Sequence, residues 1–157
     1  MFKTIVWATD GSETADAALV PAKALAAHGS RLIAVHSKDV FVGGRSTGLP
    51  VHADERELEA KIERQVAELR AEGVDAFVEV VHGQTSNAAK VIADAATELE
   101  ADVIVAGTRG HGPITGAIVG SVTQQLLHLA PCPVLVVPPV KGSANARSEQ
   151  EHAVTAG

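Results

Sequence analysis

The sequence predicts an α/β protein with an open, five-stranded parallel sheet that carries helices on both faces. Short apolar runs alternate with longer segments of helical periodicity, in the order β-α-β-α-β-α-β-α-β. Hydrophobic residues make up 46% of the chain but aromatic residues only 3%, so Val, Ile, Leu and Ala must build the core. Such a core is typical of a parallel sheet that is buried on both faces. A chain of 157 residues is long enough for one domain of this kind.

The first strand and the first helix are predicted over residues 2–8 and about 12–28. Ser12 can cap the helix with its hydroxyl, and two acidic residues in the first turn suit the positive end of the helix dipole. Gly29 ends the helix, and Pro21 inside it is expected to kink the helix or to weaken one backbone hydrogen bond.

The second strand, residues 31–36, is followed by a segment of different character. Residues 38–54 contain three glycines and one proline and show little periodicity, which predicts a mobile loop over the site. The next helix is predicted over residues 54–72, because four apolar residues recur at spacings of four, four and three on one face. These residues are Leu58, Ile62, Val66 and Leu69.

The second half of the chain continues the alternation of strands and helices. Three strands are predicted at residues 76–81, 101–106 and 134–137, and two helices at about 86–100 and 122–129. The tail, residues 141–157, has Val154 as its one large apolar residue and is therefore expected to be disordered. The predicted domain covers residues 1–140.

Charge and cysteine content narrow the class of protein. The net charge is −6 and no basic block occurs, which argues against nucleic acid or an anionic membrane as the main partner. No signal peptide and no apolar run of membrane-spanning length is present. A single cysteine, Cys132, excludes an internal disulfide, as is usual in a reducing cytosol, and predicts a cytoplasmic protein.

A glycine-rich stretch, residues 107–121, lies between the fourth strand and the fourth helix and contains five glycines. Glycine allows the backbone to approach a phosphate closely, and the N–H groups at a helix start bind anions without a basic side chain. The spacing does not fit a Walker A loop, which needs Gly-Lys followed by Ser or Thr. It does not fit a dinucleotide fingerprint either, because Thr115 stands where the third glycine is required.

Gly107, Gly110, Gly120 and Ser121 follow the spacing G-x2-G-x9-G-S, which resembles the ATP-binding loop of the universal stress protein family. The flanking segments agree, and the resemblance extends from residue 2 to about residue 139. It implies a Rossmann-like sheet of the adenine nucleotide alpha hydrolase type with strand order 3-2-1-4-5. It also implies ATP as ligand, with or without Mg²⁺, or another adenine nucleotide. Without this context the stretch would be a flexible loop, in which Ser121 and Gln124 form a capping box for the last helix.

In a sheet of that order the ligand lies where the order reverses, between the first and fourth strands. Thr9 and Asp10 directly follow the first strand, and Gly107 directly follows the fourth. Two segments distant in sequence therefore meet at one crevice. The predicted nucleotide-binding residues are Thr9, Asp10, Ser37, Ala106, Gly107, Arg109, Gly110, Gly120, Ser121 and Val122.

Several of these residues have an ordinary structural alternative. Asp10 can accept hydrogen bonds from ribose hydroxyls, or it can stabilise the turn before Gly11. Ser37 stands where the resemblance implies that backbone groups read the adenine edge, but it can also be a plain strand end. Arg109 can approach a phosphate or remain solvated, and Ala106 and Val122 can flank the ligand or, by default, belong to the core.

No set of catalytic residues and no metal-binding pattern emerges from the sequence. G-x-S-x-G and H-E-x-x-H are absent, and the segment T-D-G-S-E-T departs from the S-G-G-x-D-S loop of related ATP-using enzymes. The sequence thus favours an ATP-binding regulatory module that acts through a protein partner it does not identify. A slow ATPase or ATP-using enzyme and a nucleotide-free interaction protein of the same fold remain the alternatives.

Residues 133–138 are predicted to mediate a homodimer. The strand reads Val-Leu-Val-Val without a charge, and the implied strand order places it at a sheet edge. An apolar edge strand is a template for pairing with another chain, and the resemblance points to the same interface.

Overall fold

The computed structural model describes residues 1–26, 29–39, 51–83, 87–108 and 119–140. Within these ranges the elements are, in chain order, β1 (Thr4–Ala8), α1 (Glu13–Leu25), β2 (Arg31–Asp39), α2 (Val51–Ala71), β3 (Asp75–Gly83), α3 (Ala88–Glu98), β4 (Val103–Gly107), α4 (Ser121–Leu129) and β5 (Val134–Val137).

The five strands form one sheet in the order β3-β2-β1-β4-β5, and every neighbouring pair is parallel. This confirms the predicted fold class and strand order. In the last paired row of the central strands, Ala8 of β1 lies opposite Val35 of β2 and Ala106 of β4. The order reverses between β1 and β4, so their carboxyl ends lie side by side at the place where such sheets bind ligands.

The sheet is buried between two layers of helices. Trp7 and Leu32 point to the face covered by α1 and α2, here called the α1–α2 face, whereas Val6 and Val35 point to the opposite, α3–α4 face. Trp7 is fully buried and donates a hydrogen bond from Nε1 to the Ala15 carbonyl oxygen at 2.8 Å, so it belongs to the core. The side chains of adjacent residues in β1 therefore alternate between two apolar layers.

The segment between β2 and α2 is shorter than the predicted loop of residues 38–54. β2 pairs with β3 as far as Asp39 opposite Gly83, and α2 already begins at Val51. The strand is longer than predicted because its pairing with β3 is a long-range contact that local composition does not reveal. Residues 40–50 of the predicted loop, and the whole tail at 141–157, lie outside the described residues.

Asp102 connects the start of β1 to the turn before β4. Its Oδ2 accepts hydrogen bonds from the backbone N–H of Thr4 at 2.9 Å and of Lys3 at 2.6 Å. These bonds favour the ionised carboxylate and hold the pKa of Asp102 below its ordinary value of 3.8.

We expect Asp102→Ala to lower the free energy of unfolding at neutral pH and to have no effect in strong acid. A carboxyl pKa that is lower in the folded protein adds stability above the unfolded-state pKa, and this stability disappears as the pH falls through the folded-state pKa. Urea unfolding of both proteins across that pH range is the appropriate measurement. A difference that stays constant with pH would show that ionisation of Asp102 does not stabilise the fold.

Candidate functional site

Strands β1 and β4 diverge where their pairing ends. The backbone N–H of Thr9 donates to the Val35 carbonyl oxygen at 3.0 Å, towards β2. The backbone N–H of Thr108 donates to the Val137 carbonyl oxygen at 3.0 Å, towards β5. The last paired residues of β1 and β4 are Ala8 and Ala106. Beyond these residues, the segment after β1 bonds to β2 and the segment after β4 bonds to β5. This divergence opens a crevice between Thr9 and Thr108.

The turn after β1 is built by its own side chains. Asp10 Oδ1 accepts a hydrogen bond from the Ser12 N–H at 3.0 Å, and Thr9 Oγ1 accepts one from the Gly11 N–H at 3.2 Å. Ser12 then caps α1, since its Oγ accepts from the Ala15 N–H at 3.2 Å. The turn-stabilising alternative for Asp10 is therefore present. It is compatible with ligand binding, because a carboxylate offers about four lone-pair directions.

Helix α2 braces this turn from the α1–α2 face. Lys61 Nζ donates to the Gly11 carbonyl oxygen at 2.7 Å and to Asp16 Oδ2 at 2.6 Å. Gly11 has a φ of +75°, and a Cβ there would lie 2.5 Å from Leu58 Cδ2. The position thus favours glycine for its backbone conformation, whereas the end of the flexible Leu58 side chain could shift to admit a Cβ.

His36 makes a second connection between the turn and α2. It is 4% exposed, with Nδ1 lying 3.0 Å from the Thr9 carbonyl oxygen and Nε2 lying 2.7 Å from Glu55 Oε1. A carbonyl oxygen can only accept, so we assign the Nδ1 proton to the bond with Thr9. The contact between His36 Nε2 and Glu55 Oε1 is a hydrogen bond only if one of these two atoms carries a proton. Neither His36 nor Lys61 was among the predicted site residues.

The two ends of the glycine-rich stretch are fastened together. The Gly120 N–H donates to the Thr108 carbonyl oxygen at 2.7 Å, and Thr123 Oγ1 donates to the Gly107 carbonyl oxygen at 2.9 Å. The start of α4 is therefore held directly against the end of β4. The predicted site residues Arg109 and Gly110 lie outside the described residues.

The start of α4 differs from the predicted capping box. Gly120 is the N-cap, Ser121 is already the first helical residue, and the first intrahelical bond runs from the Gln124 N–H to the Gly120 carbonyl oxygen at 2.9 Å. The N–H groups of Ser121, Val122 and Thr123 precede that bond, so the helix itself provides no acceptor for them. The first turn of α4 contains no acidic residue, which is also true of α3, whereas that of α1 has both a serine cap and acidic residues. The beginning of α4 is thus suited to an external anion.

The first glycine of the motif has a structural reason of its own. A Cβ on Gly107 would lie 2.6 Å from the carbonyl oxygen and 2.8 Å from the carbonyl carbon of Thr14, so the backbone of α1 packs directly on this position. Ala106 is buried in the core on the α3–α4 face, and Val122 packs against the same layer. The core alternative therefore describes both of these residues.

The predicted residues that the structure describes lie together at the carboxyl ends of the strands. Thr9, Asp10, Ala106, Gly107, Gly120, Ser121 and Val122 surround the ends of β1 and β4, and Ser37 lies on the neighbouring β2. Among the described residues, no group of three His, Cys, Asp or Glu side chains could hold a metal ion. None of the described helices is long and apolar enough to cross a membrane.

Comparison with known proteins gives the family. The model of the universal stress protein family matches residues 1–138. The chain belongs to the universal stress protein family. A universal stress protein of Thermus aquaticus is 38% identical over 146 residues, covering 87% of this chain and 99% of that protein.

Solved structures of the family share the fold. A universal stress protein from Archaeoglobus fulgidus superposes with a TM-score of 0.66 at 27% identity, covering 87% of this chain and 98% of the other. A universal stress protein solved in complex with cAMP superposes with a TM-score of 0.58 at 26% identity, covering 88% and 98%. The family relationship thus extends over almost the whole length of both structural relatives.

Proposed function

We propose that this universal stress protein binds an adenine nucleotide where the carboxyl ends of β1 and β4 separate, with ATP as the expected ligand. The observation that carries the proposal is the start of α4, which has no side-chain cap and no acidic residue and which the Gly120–Thr108 hydrogen bond holds at that crevice. The relative in complex with cAMP supports the nucleotide class. Nucleotide occupancy would then regulate a protein partner in the cytoplasm.

The residues present suit a nucleotide lying along the sheet edge. The N–H groups of Ser121, Val122 and Thr123 would hold phosphate oxygens, with or without Mg²⁺ bound to the phosphates. Asp10 would accept hydrogen bonds from the ribose hydroxyls while its Oδ1 keeps the bond to Ser12. The base would lie towards β2, because the start of α4 occupies the other side of the crevice.

The proposal can be tested by identifying the nucleotide that copurifies with the protein. We expect mass spectrometry of the supernatant after denaturation to show an adenine nucleotide in a constant ratio to protein. Denatured Gly120→Glu protein, purified in parallel, should release much less. Release of a different class of small molecule by the wild type would argue against the assignment.

We expect little or no ATP hydrolysis. The sequence lacks an evident water-activating group, and the proposed role is binding rather than turnover. A steady-state rate above about 1 per second, which is at the low end for enzymes, would show that a catalytic residue has been missed. Phosphate release measured with purified protein and Mg²⁺-ATP decides between these outcomes, with a sample lacking protein as the control.

We also propose a homodimer that pairs through β5. The Ile104 N–H donates to the Pro133 carbonyl oxygen, and the Thr108 N–H donates to the Val137 carbonyl oxygen. Alternate residues of β5 therefore direct their backbone groups towards β4. The N–H groups of Val134 and Val136 therefore point outward from the edge. Leu135 is 39% exposed, which adds apolar surface beside these free donors.

Replacing Val136 with proline is expected to convert the dimer into a monomer. Proline removes an outward N–H without removing a bond to β4, and Val136→Ala is the matched control because it retains that N–H. Sedimentation velocity should show a dimer for the wild type and the alanine variant. A monomeric wild type, or a folded proline variant that still dimerises, would exclude this interface.

A further inference from the structure

Two hydroxyl groups on the α3–α4 face of the sheet edge have no hydrogen-bond partner within the described part of the chain. They are Ser37 Oγ and Thr108 Oγ1, and both oxygen atoms are buried. A buried hydroxyl without a partner has lost its bonds to water and has gained none in return. Replacing such a hydroxyl with an apolar group would therefore stabilise the ligand-free protein. The fold alone does not explain why these two hydroxyls are present.

The register of the sheet places the two residues at the same level. Val35 and Ala106 flank Ala8 in the last row of the central strands, and all three contribute to the core of the α3–α4 face. Ser37 and Thr108 each stand two residues further along the chain, so strand alternation directs them to that same face. In the last paired row, two inter-strand spacings, roughly 10 Å, separate β2 from β4.

Three other hydroxyls near the crevice are used by the fold. Thr9 Oγ1 accepts from the Gly11 N–H, Ser12 Oγ accepts from the Ala15 N–H, and Thr123 Oγ1 donates to the Gly107 carbonyl oxygen. A requirement of the local backbone thus explains each of those three residues. No such requirement explains Ser37 or Thr108.

We propose that the Ser37 hydroxyl binds the nucleotide base and that the Thr108 hydroxyl binds a phosphate oxygen. Thr108 is the phosphate-side residue because its carbonyl oxygen accepts the Gly120 N–H at the start of α4. Ser37 lies on the other side of β1, where the base would be. This inference rests on the proposed function. It adds a side-chain contact at Ser37 and introduces Thr108 as a binding residue.

The test compares affinity for ATP and for adenosine, which lacks the phosphates, in Ser37→Ala and Thr108→Val. Ser37→Ala should weaken both ligands by about three- to tenfold, the loss of one hydrogen bond. Thr108→Val should weaken ATP by a similar factor and leave adenosine unchanged, with adenosine measured by its competition against ATP. Both variants should unfold at the same temperature as the wild type, or higher, without ligand.

Ser30→Ala is the matched control. The Ser30 hydroxyl has a partner, because it donates to the Phe2 carbonyl oxygen at 2.6 Å. It lies just before β2, at the amino ends of the strands and away from the crevice. Its loss should lower the unfolding temperature and leave ATP affinity unchanged. Wild-type binding with unchanged affinities in Ser37→Ala and Thr108→Val would overturn this inference alone. A wild type that binds no nucleotide would overturn the proposed function and this inference together.

Discussion

Replacing Gly120 with glutamate is expected to weaken ATP binding by about a hundredfold or more. The new carboxylate would lie at the N-terminus of α4 and could itself accept the N–H groups proposed for the phosphates. It would also repel the negative charge of the nucleotide. Gly120 has a φ of −62° and a ψ of 156°, an extended conformation that any residue adopts, so the variant should fold.

Two further variants at this position separate charge from size. Gly120→Gln has nearly the same volume without the charge, and Gly120→Ala adds only a methyl group. We expect affinities in the order wild type, alanine, glutamine, glutamate, measured by calorimetry on proteins with matching circular dichroism spectra. Equal ATP affinity of the glutamate variant and the wild type would show that the phosphates do not bind at the start of α4.

Replacing Gly107 with valine is expected to destabilise the fold by about 3 kcal/mol or more. The Cβ would lie 2.6 Å from the Thr14 carbonyl oxygen, and backbone atoms of a helix cannot move aside as a flexible side chain can. The branched γ-carbons would add further overlap with α1. Urea unfolding followed by circular dichroism would measure the loss of stability.

The control for this substitution is Gly120→Ala, at the other end of the same motif. Its backbone is extended, so the new methyl group causes no strain, and we expect only the loss of about 1 kcal/mol or less that alanine causes at an N-cap. Stability that falls equally in Gly107→Val and Gly120→Ala would contradict the structural role given to Gly107. Nearly unchanged stability of Gly107→Val would do so as well.

The different roles of these two glycines show what the motif alone does not reveal. Both positions were predicted as nucleotide-binding residues, because glycine allows close approach of a backbone. The structure shows that α1 approaches Gly107, whereas Gly120 caps α4 at the crevice. Spacing indicates that a backbone comes close, but it does not say which backbone or which ligand.

Features set by local sequence were predictable. Ser12 caps α1 as expected, since a hydroxyl three residues before an N–H is a local pattern. The fold class followed from the alternation of apolar runs with helical periodicity, and the strand order from the family resemblance. The start of α4 was misplaced by one residue, because its position depends on the bond between Gly120 and Thr108, which are distant in sequence.

Features that depend on tertiary contact were missed. The length of β2 follows from its pairing with β3, and the bracing of Gly11 by Lys61 connects residues that are 50 positions apart. His36 did carry a signal, because alternation from Leu32 places it on the α1–α2 face. A histidine in that position needs buried polar partners, and Thr9 and Glu55 provide them.

Calorimetric titration of ATP into nucleotide-free wild-type protein is the decisive experiment for the proposed site. We expect saturable binding of one nucleotide per chain, weaker binding of GTP, and loss of the ATP signal in Gly120→Glu. Absence of saturable binding for ATP, ADP, AMP and cAMP, by a protein that circular dichroism shows to be folded, would contradict nucleotide binding at the β1–β4 crevice.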